Sequence, residues 1–199
     1  MKIKSLNKKL LFSASLILAL LIAFILGYLV SSEKWQCPVC SFKGEIVPLV
    51  NEQYFNITMN EINSAESSID IAIYEFKWYE TNNSATQIRE ALVKAHENGV
   101  QVRLLLDQSK WYGEVTELSK SNKQTAEYLS GKGISVKLDS EKITTHDKLL
   151  IIDNEIVIVG SHNWGSSALT KNNEASVMIK DTKIAEYYEN YFEFLWENA

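Results

Sequence analysis

With 199 residues, 46% of them hydrophobic and 11% aromatic, and with only 2 Pro and 8 Gly, the chain holds enough apolar material for one ordinary domain plus a small appendage, which excludes a disordered or repetitive fibrous protein. The formal charge of −5 is unevenly laid out: MKIKSLNKK at the start carries four lysines and no acid, and setting it aside leaves 16 Lys+Arg against 25 Asp+Glu, about −9 for the remainder. A domain that grips DNA nonspecifically is usually basic, and this one is acidic.

Residues 1–9 read as a cytoplasmic basic tail. Leu10 to Val30 follows as 21 residues without a charge. A bilayer core is crossed by about 20 helical residues, so residues 10–30 are expected to form a transmembrane anchor. The lysines before it place the rest of the chain outside the cytoplasm. A cleaved signal peptide is the alternative. Its apolar stretch is usually shorter, roughly 7–15 residues, and is followed by a small-x-small site that GYLVSSEKW supplies poorly.

Residues 31–44 read as a linker. It contains CPVC, with Cys37 and Cys40, the chain's only cysteines. Cys-Pro-x-Cys resembles one knuckle of a zinc ribbon, but one pair is half of a structural zinc site, so two chains would have to share the ion. A local disulfide suits a location outside the cytoplasm equally well. Neither reading makes the pair catalytic.

A domain is expected over residues 45–199. EIVPLVN (45–51) reads as a strand. EQYFNITMNEINSAES places Phe55, Met59 and Ile62 at helical spacing. In SIDIAIYEF (68–76), Ile69, Ile71 and Ile73 alternate with Asp70, Ala72 and Tyr74, a strand pattern. SATQIREALVKAHENG reads as a helix capped by Ser84 and ended by Gly99. VQVRLLLD (100–107) is a strand, NKQTAEYLSGKG a short helix, and ISVKLD (134–139) a strand. HDKLLIIDNEIVIVGSHN contains two β runs joined tightly at Asp153-Asn154-Glu155. EASVMIKD (174–181) is a last strand before an aromatic amphipathic helix, TKIAEYYENYFEFLWENA. Strands alternating with helices imply an α/β fold, a mixed sheet flanked by helices.

The chemistry concentrates in HDKLLIIDNEIVIVGSHN. Side chains two apart on a strand share a face, so His146 and Lys148 point together. Gly160, Ser161 and Asn163 end the next run. If the two runs pair, Ser161 and Asn163 return near His146. An imidazole, a fixed cation, a hydroxyl and an amide together suit a phosphate: the cation and donors hold its oxygens, and the imidazole attacks or moves protons. Asp153 lies at odd register from His146 and near the turn, which assigns it a structural role. His162 reads as a loop residue and His96 as a solvated helix residue. A metal at His146, Asp147 and Asp153 is not expected, because Asp147 points away from His146 on a strand.

The spacing His-x-Lys-x4-Asp-x6-Gly-Ser-x-Asn, here His146, Lys148, Asp153, Gly160, Ser161 and Asn163, resembles the signature of the phospholipase D superfamily. The likeness extends into NWGSSALTKNNEASVMI, where Glu174 falls at the place of a carboxylate that supports the site, and it covers roughly residues 45–195. The resemblance implies a hydrolase that needs no cofactor. A histidine attacks phosphorus to give a phosphohistidine, and a second histidine protonates the leaving oxygen and then activates water. Larger members carry the motif twice and this chain once, so the resemblance implies a homodimer in which the two copies of His146 share one site. Lys148 and Asn163 then bind phosphate, with Ser161 and Glu174 in support and Glu174 the candidate to orient an imidazole. Small relatives of this type include bacterial endonucleases and a mitochondrial cardiolipin hydrolase. The acidic domain and the anchor favour a phospholipid substrate, and nucleic acid is the alternative. The pairs Trp78-Tyr79 and Trp111-Tyr112 are candidates for the rim of a membrane-facing groove. A non-catalytic tethered binding protein is the remaining reading, against which the intact motif argues.

Overall fold

The computed structural model describes residues 42–111 and 113–199, with Trp111 described by its backbone alone. The expected anchor at Leu10 to Val30, the Cys37–Cys40 motif and the Trp111-Tyr112 rim lie outside these described residues or side chains. Among the described residues no helix is long and apolar enough to cross a membrane.

In chain order the elements are β1 (Glu45–Val50), α1 (Gln53–Ser64), β2 (Ser68–Ile73), α2 (Ser84–Glu97), β3 (Gln101–Leu106), β4 (Lys110–Trp111), β5 (Glu114–Val115), α3 (Glu117–Gly131), β6 (Ser135–Leu138), β7 (Lys148–Ile152), β8 (Ile156–Gly160), α4 (Ser166–Thr170), β9 (Ala175–Lys180) and α5 (Thr182–Asn198). Seven strands form one sheet in the order β1-β9-β8-β7-β2-β3-β6. The pairs β2–β3 and β3–β6 are parallel and the other four are antiparallel, so the sheet is mixed, as expected. The small hairpin β4–β5 and the five-residue α4 were not foreseen.

The sheet divides two unequal cores. Ile69, Ile71, Ile73, Leu104, Leu106, Leu150 and Ile152 point toward α1, α2 and α3. Their alternates Ala72, Leu105, Leu149, Ile151 and Val157 point toward α5, where Ala185 and Phe192 are buried. The polar half of the alternation predicted for β2 is therefore buried too, because α5 covers the second face. Asp70 is buried there against Arg103, whose Nε donates to Asp70 Oδ1 at 2.5 Å. The same guanidinium donates to Glu189 and Glu193 of α5, at 2.8 and 2.7 Å. One residue thus pins α5 to the sheet.

Local chemistry explains the boundaries. The cap of α2 is Asn83 rather than Ser84: the Asn83 side chain accepts from the Thr86 amide, and Ser84 is already in the first turn. Gly99 and Gly133 end α2 and α3 at φ 95 and 90, the left-handed conformation glycine adopts without penalty. The stripe of α1 is centred on Tyr54, Thr58 and Ile62, with Phe55 and Met59 at its flank.

The β7–β8 connection is tight, as read. Asp153 and Asn154 both have left-handed φ, 54 and 51, and the Glu155 amide closes the turn on the Ile152 carbonyl at 3.0 Å. The Asp153 carboxylate accepts from the amides of Glu66, Ser67 and Ser68 and from the Ser67 hydroxyl, all within 2.9 Å. It fastens the loop before β2 to the hairpin. Partial burial pushes its carboxyl up, but these donors outweigh that and hold it below the usual carboxylate range. A carboxylate with a depressed folded pKa contributes stability above its unfolded pKa and loses it as pH falls through the folded value. Asp153→Ala is accordingly expected to cost about 1–3 kcal/mol at pH 7, with the deficit shrinking at acid pH. Urea unfolding of both proteins at neutral and acid pH measures it; a deficit that persists unchanged at acid pH contradicts the account.

Candidate active site

Lys148 opens β7 opposite Ile73, the last residue of β2. Since β2 and β3 are parallel, the start of β7 lies at their carboxyl ends, where open α/β sheets leave a crevice. His146 sits in the extended approach to β7 rather than inside the strand. The ladder still continues past it, because the Tyr74 amide donates to the Asp147 carbonyl at 2.8 Å.

The two motif side chains meet on one aromatic ring. His146 is exposed, and its imidazole lies 4.5 Å from the Tyr74 ring at an interplanar angle of 57°. The Lys148 ammonium lies 4.9 Å from the centroid of that ring and donates to the His146 carbonyl at 2.8 Å. Lys148 is only 7% exposed. Burial pulls its ammonium below the usual lysine range, against the opposing fields of Asp147, Glu174, Glu75 and Asp107. The expected shared face of His146 and Lys148 is therefore the face that Tyr74 occupies.

A buried polar frame holds this segment from below. The Thr145 amide donates to Asp107 Oδ1 at 2.9 Å, and the Thr145 hydroxyl donates to Asp139. Asp107, fully buried at the end of β3, also accepts from the Ser109 amide and hydroxyl at 3.1 and 2.8 Å. Burial pushes its carboxyl above the usual range, while Ser109 and Thr145 pull the other way and the charge of Asp139 adds to the rise. Asn122 ties the neighbouring strand ends together, donating to the carbonyls of Tyr74 and Asp107 and accepting from the Phe76 amide. None of Tyr74, Asp107 or Asn122 was singled out as a site residue. The legible signal was the polar residue closing the apolar run VQVRLLLD.

The β7–β8 pairing aligns Leu149 with Val159 and so returns the GSHN segment to the start of β7. Gly160 faces Ser176 on β9, and a Cβ there would stand 2.4 Å from the Ser176 Cα. Only glycine permits that approach. The Ser161 hydroxyl donates to Glu174 Oε2 at 2.5 Å and accepts from the Ala175 amide at 3.0 Å. The other oxygen of Glu174 accepts from Asn172 at 3.1 Å. Within one subunit Glu174 thus supports Ser161, in place of the expected contact with an imidazole. The Asn163 side-chain oxygen is buried without a hydrogen-bond partner among the described residues.

His162 lies, as read, in the loop after β8. It is fully buried there, stacked on Tyr54 with ring centroids 4.1 Å apart. Its Nδ1 meets the Ser176 hydroxyl at 2.6 Å and its Nε2 the Asn51 carbonyl at 3.0 Å, so both ring nitrogens are engaged. Burial holds its pKa below the usual histidine value. His96 closes α2 just before β3 begins, at the opposite end of the sheet. Of the chain's 3 histidines, His146 alone is exposed, next to the carboxyl end of β2. Asp147 turns away from it, accepting from the Tyr191 hydroxyl of α5 at 3.0 Å. Trp78 and Tyr79 are half-buried: Arg89 lies 4.1 Å from the Trp78 ring, and the Tyr79 hydroxyl accepts from the Ser166 amide.

The fold is a mixed-sheet α/β domain in which the start of β7 and the end of β8 bring the His146–Lys148 segment and the Gly160–Asn163 segment to one end of the sheet. The family profile described as "Cardiolipin synthase, PLD-like domain" matches residues 58–196. The chain belongs to the phospholipase D superfamily of phosphodiesterases. It is 34% identical over 135 residues to a phospholipase D of Rickettsia prowazekii, covering 67% of this chain and 58% of that protein. It is 27% identical over 139 residues to the mitochondrial cardiolipin hydrolase of Chlamydomonas reinhardtii, covering 70% and 56%. The chain thus spans less than two thirds of the length of these curated relatives. Among solved structures, the phospholipase D family member Nuc from Salmonella typhimurium superimposes with a TM-score of 0.63 at 29% identity, covering 77% of this chain and 96% of Nuc.

Proposed function

We propose that this chain is a membrane-anchored phosphodiesterase that cleaves a phospholipid at a site shared by two identical subunits. The observation that carries the reading is the state of the three histidines: His162 has both nitrogens engaged, His96 lies at the far end of the sheet, and His146 alone is available. A two-histidine mechanism then draws its second ring from a second copy.

In the first step a His146 ring nitrogen bonds to phosphorus as the bond to the leaving oxygen breaks. The imidazolium of the partner's His146 gives that oxygen its proton. In the second step the partner's imidazole takes a proton from water, the water oxygen bonds to phosphorus, and the phosphorus–nitrogen bond breaks. Lys148 and the Asn163 amide stabilise the added charge on the phosphoryl oxygens. Ser161 and Glu174 hold the loop that presents Asn163. Residues 10–30 anchor the chain with residues 31–199 outside the cytoplasm, and Cys37 and Cys40 join as a disulfide or share a zinc between subunits.

The electrostatics favour lipid over nucleic acid. The residues after the basic tail carry about −9, a balance that opposes a long polyanion. The names of the curated relatives point the same way. Incubating the full chain in detergent with anionic phospholipid vesicles and, separately, with single-stranded DNA tests the choice. Release of headgroup or phosphatidate is the expected result; cleavage of DNA alone overturns the lipid reading.

A further inference from the structure

His146 is exposed, and among the described residues no hydrogen bond holds its ring. Three carboxylates at this end of the sheet are committed elsewhere. Glu174 accepts from Ser161 and Asn172, Asp147 from Tyr191, and Asp107 from Ser109 and Thr145. The χ2 torsion of a histidine is broad, so an imidazole without a bond sweeps through many orientations. Attack on phosphorus needs one of them, with the ring nitrogen aligned and about 3–3.5 Å away. What the imidazole does have is the Tyr74 ring, 4.5 Å between centroids and tilted by 57°.

We propose that Tyr74 is a positioning residue whose ring sets the orientation of the attacking His146 imidazole. The inference rests on His146 as the nucleophile and adds the residue that aims it. Tyr74 is mounted for this. Its amide donates to the Asp147 carbonyl at 2.8 Å, and its carbonyl accepts from the Asn122 side chain at 2.7 Å. Both of its backbone groups are therefore tied, one of them to the residue next to His146. Ring and imidazole ride on one ladder and keep their relation. Lys148 closes the arrangement: its ammonium lies 4.9 Å from the centroid of the same ring and donates to the His146 carbonyl at 2.8 Å.

The ring, and not the hydroxyl, carries the role. It is the aromatic ring that meets both the imidazole and the ammonium. Burial pushes the Tyr74 phenol above its usual pKa, and the charges of Asp107 and Glu75 add to the rise. A phenol so placed is held back from giving up its proton, which leaves proton transfer to the imidazoles.

The test uses the full chain in detergent micelles, with bis-(p-nitrophenyl) phosphate for kcat, inorganic phosphate as a competitive inhibitor for binding, and circular dichroism for melting. Tyr74→Leu is expected to lower kcat by about 100-fold, the usual cost of a small misplacement of a reacting group. The inhibition constant of phosphate should move by less than about 10-fold, because Lys148 keeps its bond to the His146 carbonyl. Tyr74→Phe restores the ring and should recover at least about a third of the wild-type kcat. Tyr74→Met, which fills similar space without a ring, repeats the measurement if the leucine variant melts early. Three results overturn the inference while His146→Asn stays inactive: a leucine variant with wild-type turnover, a parallel loss of kcat and phosphate affinity, or a collapse of turnover in Tyr74→Phe, which would make the hydroxyl the proton donor. If neither ring-less variant folds, the ring belongs to the core and the positioning role falls. Substantial turnover by His146→Asn removes the nucleophile itself, a failure of the underlying reading and not of this one alone.

Discussion

His146→Asn is expected to lower turnover of bis-(p-nitrophenyl) phosphate by at least about 10⁴-fold, while EDTA leaves the wild-type rate unchanged. Asparagine removes the ring nitrogen that attacks phosphorus. It keeps what the fold needs from this position: the Lys148 ammonium bonds to the backbone carbonyl of residue 146, and Thr145 is held by Asp107 and Asp139. The variant should therefore melt with the wild type and still bind inorganic phosphate through Lys148 and Asn163. Those two controls separate lost chemistry from lost structure. A rate that collapses on chelation, or a variant that keeps substantial turnover, contradicts the phosphohistidine pathway.

The second large effect is on stability. Arg103→Met is expected to cost about 3–5 kcal/mol at neutral pH, the usual consequence of leaving buried acids without their cation. Asp70 is buried beneath it, and Glu189 and Glu193 fasten α5 through the same guanidinium. Even with the arginine present, burial and the neighbouring Asp70 push the Glu189 carboxyl up to about 7, since one cation serves three carboxylates. A raised carboxyl pKa means that the folded state takes up protons before the unfolded one does. That contribution is complete below the unfolded pKa and is lost as pH rises through the folded value near 7. Arg103→Met leaves the acids still harder to ionise, so its deficit should be widest above neutrality and narrow toward pH 5. Denaturant melts across that range decide it. A deficit that grows on acidification places the stabilising charge elsewhere.

Much of the domain was legible because its patterns are local. Ile69, Ile71 and Ile73 announce a strand by alternation, and Asp153-Asn154 announce a turn by their tolerance of left-handed φ. The return of the Gly160–Asn163 segment toward the start of β7 was legible because β7 and β8 form a hairpin, so sequence offset fixes spatial offset. What escaped depends on distant parts of the chain. Nothing near His162 tells that Tyr54 and Asn51, more than a hundred residues earlier, will enclose it. The burial of Asp70 follows from α5, which is made last. Asn83 outcompetes Ser84 as the cap of α2 because its side chain reaches the Thr86 amide, a choice between adjacent capping residues that composition leaves open. Asp107 looked like a strand end, and its role appears only when Thr145 arrives beside it.

The partnership of β1 with β9 bears on how the molecule is made. The earliest strand of the domain hydrogen-bonds to the latest, Glu45 beside Lys180 and Val50 beside Ala175. During synthesis β1 emerges with no sheet neighbour and waits until β9 has left the ribosome. The edge that closes the sheet is thus also its most exposed intermediate, and completion of the C-terminal end is what shields it.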